Sequence, residues 1–457
     1  MDPLQQHVRD RMEDALGDLR RLLRQPSVAA SGEGITECAA LVASLFGGAG
    51  AEVTVIRDGG AAPLLIAEFA GASDRTLLFY NHYDVQPPEP LAEWTSPPFE
   101  PAIRDGKLYA RGAADNKGDL ISRLWAVQTL RAMRGGLPCR AKFIIEGEEE
   151  IGSVHFERYV REHREALAGD GCIWEFGARD VHERLNLSAG VKGICYLDLG
   201  LEATARDLHS SIGAIVEGAA MRLIWALATL KDPATGRIRV PGFYDRVRPP
   251  AAAERAAVRA LPFDEEDRKL EYGVRSFIGG KAGEAAQFDF YFSPTCTVCG
   301  FLGGYTGPGS KTVLPRRASA KVDFRLVPDQ DPEEITELVR RHFAAAGFPE
   351  IGVRLLGGER AYRSPITDPF VQLVTRTAGE ATGRETLLSP TSAGTGPMYP
   401  VGTALGVPVI SLGGGYWDSR GHAPDENIRL TDFEETIYMM ARIIDAYGSQ
   451  TEGARRG

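Results

Sequence analysis

The chain has few cysteines, and they are scattered. Its six thiols, Cys38, Cys139, Cys172, Cys195, Cys296 and Cys299, are spread over 457 residues, which excludes the dense disulfide framework of a small secreted scaffold. Cys296 and Cys299 form a C-x-x-C without the second pair a zinc knuckle needs. They fall in a β-like run at 294–302 and are expected as buried strand thiols. No apolar run approaches the roughly 20 residues that span a bilayer. The charged N-terminal stretch, 1–24, has no apolar signal core and reads as an amphipathic helix. Basic charge is not in excess either: 52 Lys and Arg against 62 Asp and Glu leave a net charge of -10, which argues against a nucleic-acid partner. The expectation is a soluble cytoplasmic protein with no nucleic-acid and no membrane partner. Low-complexity sequence is confined to a tail at 448–457. The glycine-rich stretch from Gly304 to Thr312 falls short of a phosphate loop, because Ser310 stands where lysine should follow the last glycine.

What is present is an ordinary globular composition, 43% hydrophobic and 25% charged, in a chain too long for one core. Residues 1–190 alternate strands (64–70, 76–85, 141–145, 171–176) with helices (118–134, 154–167). The helix at 118–134 has an apolar face at Leu120, Leu124 and Val127. Buried strands alternating with helices predict an α/β domain with a mostly parallel sheet flanked by helices. From 191 the pattern changes to half-exposed alternating strands at 193–203, 317–327 and 351–356. Helices are expected at 213–230 and after Asp331, whose cap is followed by Pro332 and Glu334. Residues 231–271 read as turns and short helices. After 362 the first pattern returns, with a helix at 368–381, a strand at 407–412 and a helix at 432–447 opened by a Thr431/Glu434 capping box. The expected organisation is one domain, 1–190 with 363–457, interrupted by an inserted α+β sandwich at 191–362.

The chemistry concentrates where strands end. The run Glu146-Gly147-Glu148-Glu149-Glu150-Ile151-Gly152-Ser153 follows an apolar strand, and ligands bind at such strand ends in α/β sheets. Carboxylates gathered there repel unless a cation compensates them. A divalent metal would do so, and a carboxylate left off the metal could serve as a base. Four other polar clusters follow strands: Asn81-His82-Tyr83-Asp84, the stretch from Arg111 to Gly118 with Asp115, Glu175 between Trp174 and Phe176, and His422 after Gly413-Gly414-Gly415. Imidazoles with carboxylates suit zinc and tolerate manganese or cobalt. Each residue also has a plain structural reading. His82 could be a hydrogen-bonded core histidine, Asp84 a turn cap, Asp115 a helix N-cap, and Glu148 to Glu150 a solvated turn. Glu175 fits that reading least, since a carboxylate between two aromatic residues needs a partner.

The segments His82-Tyr83-Asp84, Gly112-Ala113-Ala114-Asp115-Asn116-Lys117-Gly118, Glu146 to Ser153 and Gly421-His422-Ala423-Pro424 resemble the M20 family of metallopeptidases, in family order and over nearly the whole chain. Asp207-Leu208-His209-Ser210, Lys311-Thr312-Val313-Leu314-Pro315 and Phe324-Arg325-Leu326-Val327-Pro328 most resemble its carnosinase and cytosolic dipeptidase branch. The resemblance implies two divalent metal ions, usually zinc. His82 and Glu175 would hold one, Glu150 and His422 the other, and Asp115, followed by a cis peptide bond, would bridge them. It implies that Asp84 orients His82 and that Glu149 is the general base. His209 would reach a partner subunit's site to stabilise the oxyanion, so a homodimer through the inserted domain is implied. Arg325 would bind the substrate carboxylate, Thr312 would donate to substrate or oxyanion, and Thr395 would line the pocket. One departure stands out: the dipeptidase branch generally has aspartate at the position of Glu175, and glutamate is common in the deacylase branches. The reading is therefore a di-metal hydrolase of dipeptides or similar small amides with a free carboxylate. An N-acyl amino acid amidohydrolase with the same site is the near rival, and a non-catalytic scaffold the distant one.

Overall fold

A computed structural model describes residues 2–449; most of the tail at 448–457 lies outside the described residues. The chain forms two compact units. One comprises Met1–Gly190, Arg363–Pro390 and Pro397–Gly457, the other Val191–Tyr362 and Thr391–Gly396.

The first unit is built on a ten-stranded mixed sheet. Its middle is parallel: Arg140–Glu146, Thr76–His82, Gly171–Trp174 and Val409–Ser411 lie side by side and run the same way. Thr76–His82 is buried at every position, as an unbroken apolar run covered on both faces should be. Glu52–Ile56 and Leu64–Phe69 extend one side in antiparallel fashion. Because the central strands share a direction, the chain leaves all four at one edge. The helix Lys117–Arg134 stops at Gly135, whose φ of 73° is the left-handed cap that glycine tolerates. It is wrapped more completely than a single apolar face predicts, since every residue from Lys117 to Val127 is buried. The helices Met12–Leu23 and Leu430–Gly448 pack against it.

Three local expectations are corrected. The N-terminal stretch is two helices, Pro3–Asp10 and Met12–Leu23. The last helix has no capping box: the strand Asn427–Arg429 runs straight into Leu430–Gly448, so Thr431 already lies inside the helix, and Arg429 instead pairs with Asp432. Glu175 does not lie inside a strand, because Gly171–Trp174 ends before it and Phe176 is exposed in a left-handed conformation, φ 71°.

The second unit holds a four-stranded antiparallel sheet in the order Thr297–Gly303, Arg317–Leu326, Gly193–Glu202, Gly352–Glu359. Burial alternates along the two inner strands. Leu197, Leu199, Val322 and Phe324 point into the core against the helices Ala219–Leu230 and Pro332–Ala345, each contributing roughly 1.5–3 kcal/mol. Asp323 and Arg325 consequently face the other way. The helix expected at 213–230 begins only at Ala219, because Gly213 and Gly218, the poorest helix formers short of proline, break the segment before it. Cys296 is buried but Cys299 is exposed: it sits where the edge strand's register shifts between Val298 and Gly300, and such a bulge turns a residue out of the ladder. Residues 231–295 contain the short helices Ala252–Ala260, Glu265–Tyr272 and Gly283–Phe292. Among the described residues no helix is long and apolar enough to cross a membrane.

Candidate metal centre

At the parallel edge of the first unit the side chains from all five polar clusters meet. His82 ends its strand, and its Nε2 lies 3.0 Å from Asp115 Oδ1 and 3.3 Å from Glu175 Oε2. His422 Nε2 lies 3.0 Å from Asp115 Oδ2 and 3.1 Å from Glu150 Oε2. Asp115 therefore turns one carboxylate oxygen to each imidazole. Glu149 stands beside the cluster, with Oε2 4.0 Å from His82 Nε2. The donor atoms of His82, Asp115 and Glu150, and those of His82, Glu149 and Glu175, form two compact groups.

Local sequence explains how the groups arrive. The chain leaves Arg140–Glu146 and makes a 3-10 turn at Glu149–Ile151, closed by Gly152 at φ 86°. Gly147 must be glycine: a Cβ there would lie 2.3 Å from the Tyr83 ring. Asp84 holds both sides of the site. Its Oδ2 accepts from Glu150 N at 3.0 Å and its Oδ1 from Glu149 N at 3.3 Å. Asp84 also faces the His82 ring, with its carbonyl oxygen 3.0 Å and its Oδ1 3.3 Å from Nδ1. Asp84 offers only acceptors to Nδ1, so Nδ1 donates to Asp84, and Nε2, facing Asp115 and Glu175, is the nitrogen that would turn to a metal. The Asp115-Asn116 peptide bond is cis. His422 adopts φ 64°, a left-handed conformation costing roughly 1–2 kcal/mol outside glycine, and its side chain is 55% exposed. Such strain in a residue that reaches a charged cluster points to use of the imidazole.

Electrostatics tests whether a cation fits. Burial pushes the Glu149 carboxyl well above the usual carboxylate range, and Glu175 adds to the shift. Burial does the same to Glu175, which His82 pulls down and Asp115 pushes up. Glu175 Oε2 is buried and accepts no hydrogen bond. Two imidazole nitrogens, the Asp115 carboxylate between them and a buried Glu175 oxygen that accepts no hydrogen bond make a donor set that suits divalent metals. A cation among them would reverse the penalty on ionisation.

Sequence reasoning does not single out Glu426. Its buried carboxylate accepts from Gly112 N at 2.9 Å, Ala114 N at 2.8 Å and Asp115 N at 2.9 Å, and Arg111 Nη1 donates to it at 2.7 Å. It fixes the loop that presents Asp115. The available signal is an internal arginine, Arg111, that requires an acid.

The remaining predicted residues lie in the second unit. His209 Nδ1 accepts from Ser211 N at 3.1 Å, so in the neutral ring the proton sits on Nε2, 3.4 Å from Thr312 Oγ1. Arg325 Nη1 donates to Thr395 Oγ1 at 2.6 Å, and Arg325 Nε lies 3.3 Å from Asp323 Oδ2. Thus His209 with Thr312, and Arg325 with Thr395, form two pairs within that unit.

A family model, peptidase family M20/M25/M40, matches residues 78–446, a span holding every residue discussed for the site. The chain belongs to that family, whose metallopeptidases bind divalent metal. Among individual relatives, mouse Beta-Ala-His dipeptidase is 28% identical over 86% of this chain and 81% of its own length. The Cys-Gly metallodipeptidase DUG1 of Saccharomyces cerevisiae is 27% identical over 85% of this chain and 83% of its own. A solved structure, the M20 family metallo-carboxypeptidase Sso-CP2 from Sulfolobus solfataricus, superposes with a TM-score of 0.89 at 37% identity, covering 95% of this chain and 99% of that one.

Proposed function

We propose that the protein is a metal-dependent hydrolase of dipeptides, or similarly small amides with a free carboxylate, working with two metal ions, most simply zinc, with manganese or cobalt as substitutes. The observation that carries this reading is the convergence of His82, Asp115, Glu150, Glu175 and His422 beside Glu149. His82 and Glu175 would hold one ion and Glu150 and His422 the other, with Asp115 shared. When bound, such ions supply Lewis acidity for the scissile carbonyl and make water acidic enough to deprotonate near neutral pH. Glu149 takes the proton of the attacking water and returns it to the leaving amine. Asp84 keeps the His82 tautomer and the Glu149 backbone in place. His209, with its proton on Nε2, donates to the oxygen that gains negative charge, and Thr312 supports that donor. The buried free thiols accord with the cytoplasm.

A dipeptidase and a carboxypeptidase both cleave next to a free carboxylate, and Arg325, steadied by Thr395, supplies the planar fork that binds one. Arg325→Met is expected to raise KM for dipeptides by roughly 10- to 100-fold, the loss of charge-assisted hydrogen bonds worth about 1.5–3 kcal/mol, and to change little for the matching C-terminal amides, which lack that carboxylate. Steady-state kinetics on both series checks this; an equal effect on the amides would remove Arg325 as the carboxylate reader. The same assay run with N-acetyl and N-succinyl amino acids tests the rival that Glu175 suggests. Faster turnover of the acylated series would make the protein an amidohydrolase.

The second unit supports a homodimer. Val298, Phe301 and Leu302 are exposed on its edge strand, and Met221, Ile224 and Trp225 are exposed on the neighbouring helix Ala219–Leu230. An apolar patch beside an unpaired strand edge suits a second copy of itself. If His209 serves the partner's site, His209→Ala and Glu149→Gln chains should each be nearly inactive alone and recover activity when mixed under subunit exchange. No recovery in verified mixed dimers would exclude sharing.

A further inference from the structure

Arg123 brings a full charge into the core of the first unit. It is 0% exposed, and among the described residues no carboxylate hydrogen-bonds to it. Its fork is spent on strand ends instead. Nη1 donates to Tyr80 O at 2.7 Å and to Asn81 Oδ1 at 2.9 Å, while Nη2 donates to Trp174 O at 2.8 Å and to Leu412 O at 2.9 Å. These acceptors lie in or just past the last residues of three neighbouring parallel strands. The residues that follow them are His82, Glu175 and the Gly413-Gly414-Gly415 run on the way to His422. Asn81, held by Arg123, donates through Nδ2 to Asn116 Oδ1, next to Asp115. One guanidinium therefore touches the backbone within two residues of His82 and Glu175, and reaches the neighbour of Asp115 through a single side chain.

A buried cation with no carboxylate hydrogen-bonded to it is costly even with Asp119 and Glu175 near enough to favour its charge, and stability alone would favour an apolar residue here. Only arginine presents enough N–H groups in one plane to serve four acceptors from three strands at once. We infer that Arg123 is a positioning residue of the metal centre. It fixes the separation of the three strand ends, and through Asn81 and Asn116 the placement of Asp115, so that His82, Glu175 and Asp115 face one ion together. The inference rests on the metal site proposed above.

Metal affinity tests it, read on metal-stripped protein by zinc titration against a chromophoric chelator, with thermal unfolding of the stripped protein in parallel. Arg123→Lys keeps the charge and loses the fork. Asn116→Ala leaves the strand carbonyls satisfied and cuts only the link towards Asp115. Both variants are expected to fold and to bind zinc about 10- to 100-fold more weakly than the parent, the range for residues that orient ligands. Zinc affinities indistinguishable from the parent, with only the unfolding temperature lowered, would make Arg123 a structural staple and overturn the inference. If Arg123→Lys does not fold, Asn116→Ala decides by the same readout. A parent that binds no zinc, manganese or cobalt would instead remove the metal site, and the inference with it.

Discussion

Glu149→Gln is expected to lower kcat by roughly 10²- to 10⁴-fold, the usual worth of a positioned general base, while leaving metal content unchanged. The separation of the two effects follows from geometry. The Glu149 backbone N–H is held by Asp84 Oδ1 at 3.3 Å, so the turn does not depend on the side chain's charge. The five residues assigned to the ions contact one another without Glu149. Glutamine keeps the shape and the hydrogen bonding but cannot accept and release a proton. Elemental analysis and steady-state kinetics on the same preparation provide the check. Near-parental kcat would strip Glu149 of its role, and a parallel loss of metal would reassign it as a ligand.

The second large effect is expected from Asp115→Ala. Each oxygen of this carboxylate faces a different imidazole, at 3.0 Å in both cases, so its removal would take a donor from both of the proposed ions at once. Turnover should fall at least as far as in Glu149→Gln, and bound metal should drop from about two equivalents, the number proposed for a shared-carboxylate site, towards one or none. The fold should persist, because Glu426 binds the 112–115 loop through its backbone N–H groups and Arg111. Equilibrium dialysis followed by metal analysis reads the result. A full complement of metal with normal turnover would show that Asp115 bridges nothing.

The parallel centre of the first unit was legible because its strands are unbroken apolar runs, and each run gives way to polar residues at the edge that binds ligands. His82, Asp84, Glu149 and Glu150 were visible in that way, as carboxylates and an imidazole just past a strand. Other features depend on partners far along the chain. Arg123 lies at the margin of the apolar face of its helix, and nothing local marks it for the core, where its acceptors come from residues 80, 81, 174 and 412. Glu426 finds its donors more than 300 positions away. Ends of elements were legible only where a local residue decides them. Asp331 caps its helix by accepting from Glu333 N and Glu334 N. Thr431 does not cap, because a strand feeds directly into the helix and leaves no turn to cap.

The outer border of Thr297–Gly303 has a consequence for handling the protein. Backbone amides and carbonyls along that border are open to any extended peptide, and the greasy side chains beside them reward the encounter. If the chain pairs through this face as proposed, single subunits, produced by dilution or by mutation in Ala219–Leu230, should be sticky and prone to precipitate. Charged substitutions at Val298 or Leu302 should restore solubility even where they prevent pairing.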